Sequence, residues 1–220
     1  MSLPPLSLLE TRVLGVLVEK QFTVPDTYPL TLNSLVAGCN QKSSRDPVLE
    51  ASEEEVGAAL DRLKALSLVM ESSGGRVMRY SQNVGRVLGI PLQSVALLTV
   101  IMLRGPQTAG ELRIHSERLH RFSDISAVEG FLSELAARAA GPLVVELPRQ
   151  AGARETRWAH LLSGTPALPA AVEPVPADER VSVGELATLR ASVARLTEEI
   201  ASLRRTVERL QKELGLPPEP

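Results

Sequence analysis

Capping boxes that punctuate the chain, an order of three helices and a hairpin that occurs twice, and a terminal heptad pattern together predict the fold class. It is mainly α with small β-hairpins (α+β): two tandem winged-helix domains plus a C-terminal coiled-coil helix. The boundaries that follow are 1–84 for the first winged-helix domain and 85–163 for the second, then 164–181 for a Pro/Ala-rich linker and 182–215 for a dimerisation helix.

A Ser or Thr with Glu three residues later satisfies orphan amide donors at a helix start, and five such pairs occur. They are Ser7/Glu10, Ser52/Glu55, Thr108/Glu111, Ser126/Glu129 and Ser182/Glu185. After the first, Leu9, Val13, Val16 and Leu17 form one apolar helical stripe ending near Gln21. Thr31 opens a short helix through Leu32, Leu35 and Val36, and a polar loop from Asn40 to Asp46 leads to Pro47. A third helix carries Val56, Ala59, Leu60 and Leu63. Leu68-Val69-Met70, the turn Ser73-Gly74-Gly75 and Val77 to Tyr80 then read as a hairpin. Helix, helix, helix, hairpin is the winged-helix variant of helix-turn-helix.

The second half repeats that order. Thr31 to Leu35 corresponds to Thr108 to Leu112, and the third-helix stripe recurs as Val128, Phe131, Leu132 and Leu135. A second hairpin is expected from Leu143 to Glu146 and from Glu155 to Leu161, with the joint between the halves around Gln82 to Pro91. A repeat of about 75 residues suits two copies of a small domain better than a solenoid. From Gly164 to Asp178 the chain turns to Pro and Ala, the composition of an extended linker.

Leu186, Leu189, Val193, Leu196, Ile200, Leu203, Val207, Leu210 and Leu214 then alternate spacings of three and four. β-Branched residues dominate the interior of the a series and leucine fills d, which favours a parallel two-stranded coil. Glu185 with Arg190 and Glu199 with Arg204 stand where they pair across such a dimer. The competing arrangement has this helix folded back on its own domains, but the seam is narrow and suits a partner helix better.

Several stretches occur together: Leu14 to Lys20, Pro25 to Leu30, Cys39-Asn40-Gln41-Lys42-Ser43-Ser44-Arg45-Asp46-Pro47-Val48, and Leu103 to Thr108 with Gly110 to Arg113. In these the chain resembles the bacterial YceH-like family of uncharacterised winged-helix proteins, over about residues 6 to 163. The resemblance implies tandem winged helices in a bacterial cytoplasm, and no activity.

The 220 residues carry 24 basic and 26 acidic side chains, so any nucleic-acid-binding patch must be local. The outward positions of the first third helix are Glu54, Glu55, Ala58, Asp61 and Arg62 beside Glu53, a poor match to phosphate. Its counterpart shows Ala127, Gly130, Ser133 and Ala137, a small and nearly neutral face. The candidate nucleic-acid-binding residues are therefore elsewhere: Lys42, Arg45, Arg76, Arg79, Arg113, Arg118, Arg121, Arg149 and Arg154. The alternative for each is a solvated surface charge or the partner of a nearby acid. Asp46 beside Arg45 and Lys42 reads either as a loop salt bridge or as part of a binding element.

Two functions are left open by these residues, a dimeric DNA-binding regulator and an adaptor whose winged helices bind protein. The expected partners are a second copy of the chain and either double-stranded DNA or a protein. No cofactor and no metal is expected, because His115, His120, His160 and Cys39 lack ligand spacing. No catalytic motif was found, so an enzyme is not expected. Aromatic residues are 3% of the chain, too few for a single-strand stacking platform. The single cysteine and a start broken by Pro4, Pro5, Glu10 and Arg12 point to the cytoplasm rather than export, and no stretch is long enough for a membrane span.

Overall fold

The computed structural model describes residues 3–73, 77–150 and 152–166. Seven α-helices and two antiparallel hairpins lie among them. The first trio is α1 (Leu8–Thr23), α2 (Leu32–Cys39) and α3 (Glu53–Ala65), closed by β1 (Val69–Ser73) and β2 (Met78–Gln82). After a short α4 (Val84–Leu88), the order recurs as α5 (Leu92–Arg104), α6 (Ala109–His115) and α7 (Ile125–Ala136), with β3 (Val144–Leu147) and β4 (Arg157–His160). The turn residues Gly74, Gly75 and Arg76 and the whole heptad series from Leu186 to Leu214 lie outside the described residues.

Local chemistry sets most helix starts. Ser7, Ser52 and Thr108 each accept from the amide three residues on, while Glu10, Glu55 and Glu111 accept from the cap amide in return. Thr31 caps α2 through the Ser34 amide. The expected box at Ser126/Glu129 is corrected: Asp124 is the cap of α7, its carboxylate accepting from the Ala127 amide at 2.8 Å. Aspartate two residues earlier reaches the orphan donors first, so Ser126 lies inside the helix. Helix α1 runs to Thr23 and stops where the Val24 amide donates back to Lys20 before Pro25.

Each repeat also contains a one-residue bridge that the sequence did not announce. Leu30 and Tyr80 exchange backbone hydrogen bonds at 3.1 and 2.8 Å, and Gln107 and Trp158 do so at 3.1 and 2.7 Å. Both bridges sit just before the N-cap threonine of a second helix, so they tie the start of that helix to the returning strand of its hairpin. The hairpins match too, with Glu71 opposite Tyr80 and Glu146 opposite Trp158.

One apolar interior spans both repeats. Helix α1 was read as a single stripe, yet every residue from Glu10 to Val18 is buried, and α5 is buried without a break from Ser94 to Leu103. The reason is that the two helices pack on each other as well as on their own repeats. Gly15 makes the approach close: a β-carbon there would stand 2.8 Å from Leu103 Cδ2. Gly38 does the same for α1 against α2, at 2.6 Å from Val16 Cγ1. The amide of Leu6, ahead of α1, donates to the carbonyl of Leu162, so the two ends of the described unit are joined.

Candidate interaction surfaces and the polar junction

A helix buried on all sides must satisfy whatever polar groups it carries. Arg12 is fully buried and does so by donating to the carbonyls of Cys39 at 3.1 Å and Pro47 at 2.6 Å, which hold the two ends of the loop between them. Its Nε has no acceptor, and burial, then Arg45, hold the guanidinium below its ordinary pKa, against the pull of Cys39 and Asp46. Glu10, also buried, receives Arg62 from α3 at 2.9 Å.

The loop from Asn40 to Pro47 is built inward. Arg45 is buried, with its two terminal nitrogens on the Glu19 carboxylate at 3.1 and 2.6 Å and further bonds to the carbonyls of Gly38 and Ser44. Its assignment to nucleic acid is therefore corrected, because a guanidinium with no exposed surface has nothing to offer a phosphate. The loop salt bridge with Asp46 is corrected too: the acid that takes Arg45 comes from α1. Asp46 acts through its amide, which donates to Leu103 of α5 at 2.8 Å, while Ser44 Oγ accepts from Arg104 at 2.7 Å. Ser44 adopts a left-handed backbone at φ 59° to present that oxygen. Asn40 closes the loop by exchanging 2.8 Å bonds with Ala51 in both directions. The loop is a clamp between α1 and α5.

The other candidates divide. Arg79 is half-buried and donates to the carbonyls of Pro29 at 2.7 Å and Thr27 at 3.4 Å. Lys42 is exposed at the loop tip, and Arg76 lies outside the described residues. In the second repeat Arg113, Arg118 and Arg121 are exposed along and after α6, and Arg149 and Arg154 are exposed on the connection between β3 and β4. Of these five, Arg113 alone has a hydrogen bond among the described residues, a long one to the Ser123 carbonyl at 3.5 Å. Arg157, which sequence reasoning passed over, pairs with Glu111 at 3.2 Å.

The third-helix faces are acidic in both repeats. On α3, Glu53, Glu54, Glu55 and Asp61 are exposed, as the spacing predicts. Two hydrogen bonds from Ser52, first the backbone one, hold the Glu55 carboxyl below its usual range, and the carboxylates of Glu71 and Asp61 hold Lys64 charged above its own. On α7 the exposed positions are Ile125, Ser126, Glu129, Gly130, Ser133 and Glu134, followed by Ala137. The expected small, neutral face is corrected: Ala127 is half-buried against the core, and two glutamates take its place outward. The apolar stripe of Val128, Leu132 and Leu135 still faces inward, and Glu129 and Glu134 lie between its members on the solvent side.

Burial pushes the Cys39 thiol up to about 11 despite Arg12 and Arg45 beside it, and pushes His160 down to about 4. Among the described residues there is no group of three His, Cys, Asp or Glu side chains that could hold a metal ion, and no helix is long and apolar enough to cross a membrane.

The loop clamp and the doubled helix trio lie within residues 6–153, which match the family model described as "Protein of unknown function, DUF480". The chain belongs to this family, in line with the resemblance read from the sequence. Similar relatives are a "UPF0502 protein" of Dechloromonas aromatica (strain RCB), 60% identical with 90% of this chain and 92% of the relative covered. Another is the UPF0502 protein of Methylibium petroleiphilum, 60% identical over 96% of this chain and 91% of the relative. A third, from Burkholderia vietnamiensis (strain G4 / LMG 22486), is 58% identical over 90% and 91%.

Proposed function

We propose that the chain is a non-enzymatic, cytoplasmic adaptor of two winged helices that bind protein, held as a parallel homodimer by the series from Leu186 to Leu214. Supporting the winged-helix reading is the recurring order of helix, bridge residue, helix, helix and hairpin, with Leu30 and Gln107 in equivalent places. The observation that carries the adaptor reading is the charge of the third helices. Glu53, Glu54, Glu55 and Asp61 on α3 and Glu129 and Glu134 on α7 occupy the faces that a DNA reader would set against phosphate. Such faces suit a partner with a basic surface, whose on-rate they would raise.

A second reading has a specific observation of its own. Arg113, Arg118, Arg121, Arg149 and Arg154 are exposed within one repeat and could grip a duplex by its backbone while reading little sequence. One experiment separates the two. The purified full chain is titrated on duplex DNA across a salt series, alongside Arg113→Ala and Arg149→Ala. The adaptor reading expects no measurable binding even at low salt. Affinity that falls steeply with salt and drops in both variants refutes it. Its positive arm is affinity capture with wild type and Glu53→Lys/Glu54→Lys, where the variant should lose a basic partner that wild type retains.

A further inference from the structure

Where the clamp loop, α1, α5 and α6 meet, they line a partly open cavity of about 80 Å³. Its lining includes Glu19, Ser44, Thr99, Arg104, His115 and Arg118, drawn from both repeats. At about 30 Å³ per water, it has room for two or three waters. That is the space of one tetrahedral oxyanion.

The charges do not cancel. Glu19 is the acid of this set, and both its oxygens are already taken by Arg45. Arg104 and Arg118 are then left with two positive charges unmatched. Among the described residues Arg104 uses one nitrogen, on Ser44 Oγ, and Arg118 has no hydrogen-bond or ion-pair partner. Because Ser44 Oγ accepts from Arg104, its own proton remains to be donated. Thr99 is spoken for, donating to the Val95 carbonyl at 2.7 Å.

His115 adds a switchable donor. Gln107 places its amide nitrogen 3.4 Å from the carbonyls of Val100 and Gly105, which turns its oxygen toward His115 Nδ1. Nδ1 therefore carries the proton, and Nε2 is the nitrogen left for a ligand.

We propose that this cavity is a binding site for a free inorganic oxyanion of phosphate size, held by Arg104, Arg118, the Ser44 hydroxyl and the protonated His115 ring. Bound there, the ion would join the clamp loop to α5 and α6 and so help fix the two repeats together. Without it, burial and then Arg104 hold His115 below its ordinary value against the pull of Glu111. An anion adds to the attraction of Glu111 and offsets Arg104, so the ring should bind its proton more tightly.

The test is a titration of the full chain with inorganic phosphate, at ionic strength held constant with chloride, followed by the His115 ring resonances. Saturable shifts are expected, with affinity at least about tenfold weaker in Arg118→Gln, the scale of one charge-assisted hydrogen bond. Arg86→Gln removes an exposed charge outside the cavity and should leave affinity unchanged. With sulfate, whose charge is constant across the range, the His115 titration should move upward. Absence of saturation at tens of millimolar phosphate overturns the proposal. So does equal weakening by Arg118→Gln and Arg86→Gln, which would mean general charge attraction.

Discussion

Removing the carboxylate of Glu19 strands a guanidinium inside the protein. Arg45 has a side-chain exposure of 0% against 16% for Glu19, so Glu19→Ala leaves the more deeply buried partner unmatched. Breaking a buried ion pair from one side costs about 3–5 kcal/mol. The carbonyls of Gly38 and Ser44 remain as acceptors for Arg45, at 3.2 and 2.9 Å, which places the expected loss at the lower end, about 3 kcal/mol. A unit of this size loses about 2–4 °C of melting temperature per kcal/mol, so the midpoint should fall by about 6–12 °C. Urea unfolding of wild type, Glu19→Ala, Arg45→Met and the double variant measures the coupling. The double variant should recover much of the stability, because it buries no lone charge. Lys42→Ala, at an exposed neighbouring position, should change stability by less than about 0.5 kcal/mol. If Glu19→Ala loses under about 1 kcal/mol, or if the double variant is no more stable than Glu19→Ala, the loop is not a clamp.

Gly15→Ala should destabilise by about 1–3 kcal/mol, since its methyl group collides with buried Leu103 and this outweighs the gain in helix propensity. Gly57→Ala, whose added carbon meets nothing within 4 Å, should instead stabilise by up to about 1 kcal/mol; urea midpoints of both check the contrast. His160 has a folded pKa of about 4 against an ordinary 6.5, so the unfolded chain takes the proton first as pH falls. Its contribution is complete above pH 6.5 and is lost down to pH 4, about 3 kcal/mol in total, and His160→Gln should flatten that part of the stability profile measured by urea unfolding. Cys39, buried with its thiol pushed up to about 11, should resist a thiol reagent at pH 8 in the native protein and react promptly once urea unfolds it.

Much of the element order was legible because it rests on local rules. Serine or threonine with a glutamate three residues on marks three helix starts correctly, and the apolar periods of α3 and α7 point inward as read. Where a closer competitor existed the local rule misled, as when Asp124 capped α7 in place of Ser126. The candidate basic residues were harder, because an arginine reads the same in sequence whether water or a carboxylate surrounds it. The Arg45 partner, Glu19, is 26 residues away on another element. A signal did exist for the buried polar group of α1: Glu10, Thr11 and Arg12 interrupt an otherwise apolar run from Leu8 to Val18 and so have to find partners wherever that run is covered.

By itself the sequence determined the three helices of the first repeat, where the two hairpins lie, and that one plan was used twice, since these follow from hydrogen bonding and side-chain period within a few residues; the short α4 fell in what reads as a joint. Only the tertiary structure decided that α1 and α5 share one interior, that the Asn40 to Pro47 loop turns its arginine inward, and that Arg104, His115 and Arg118 surround one cavity. Those outcomes depend on which surfaces meet and on how deeply a charge is removed from water, and neither is carried by local spacing.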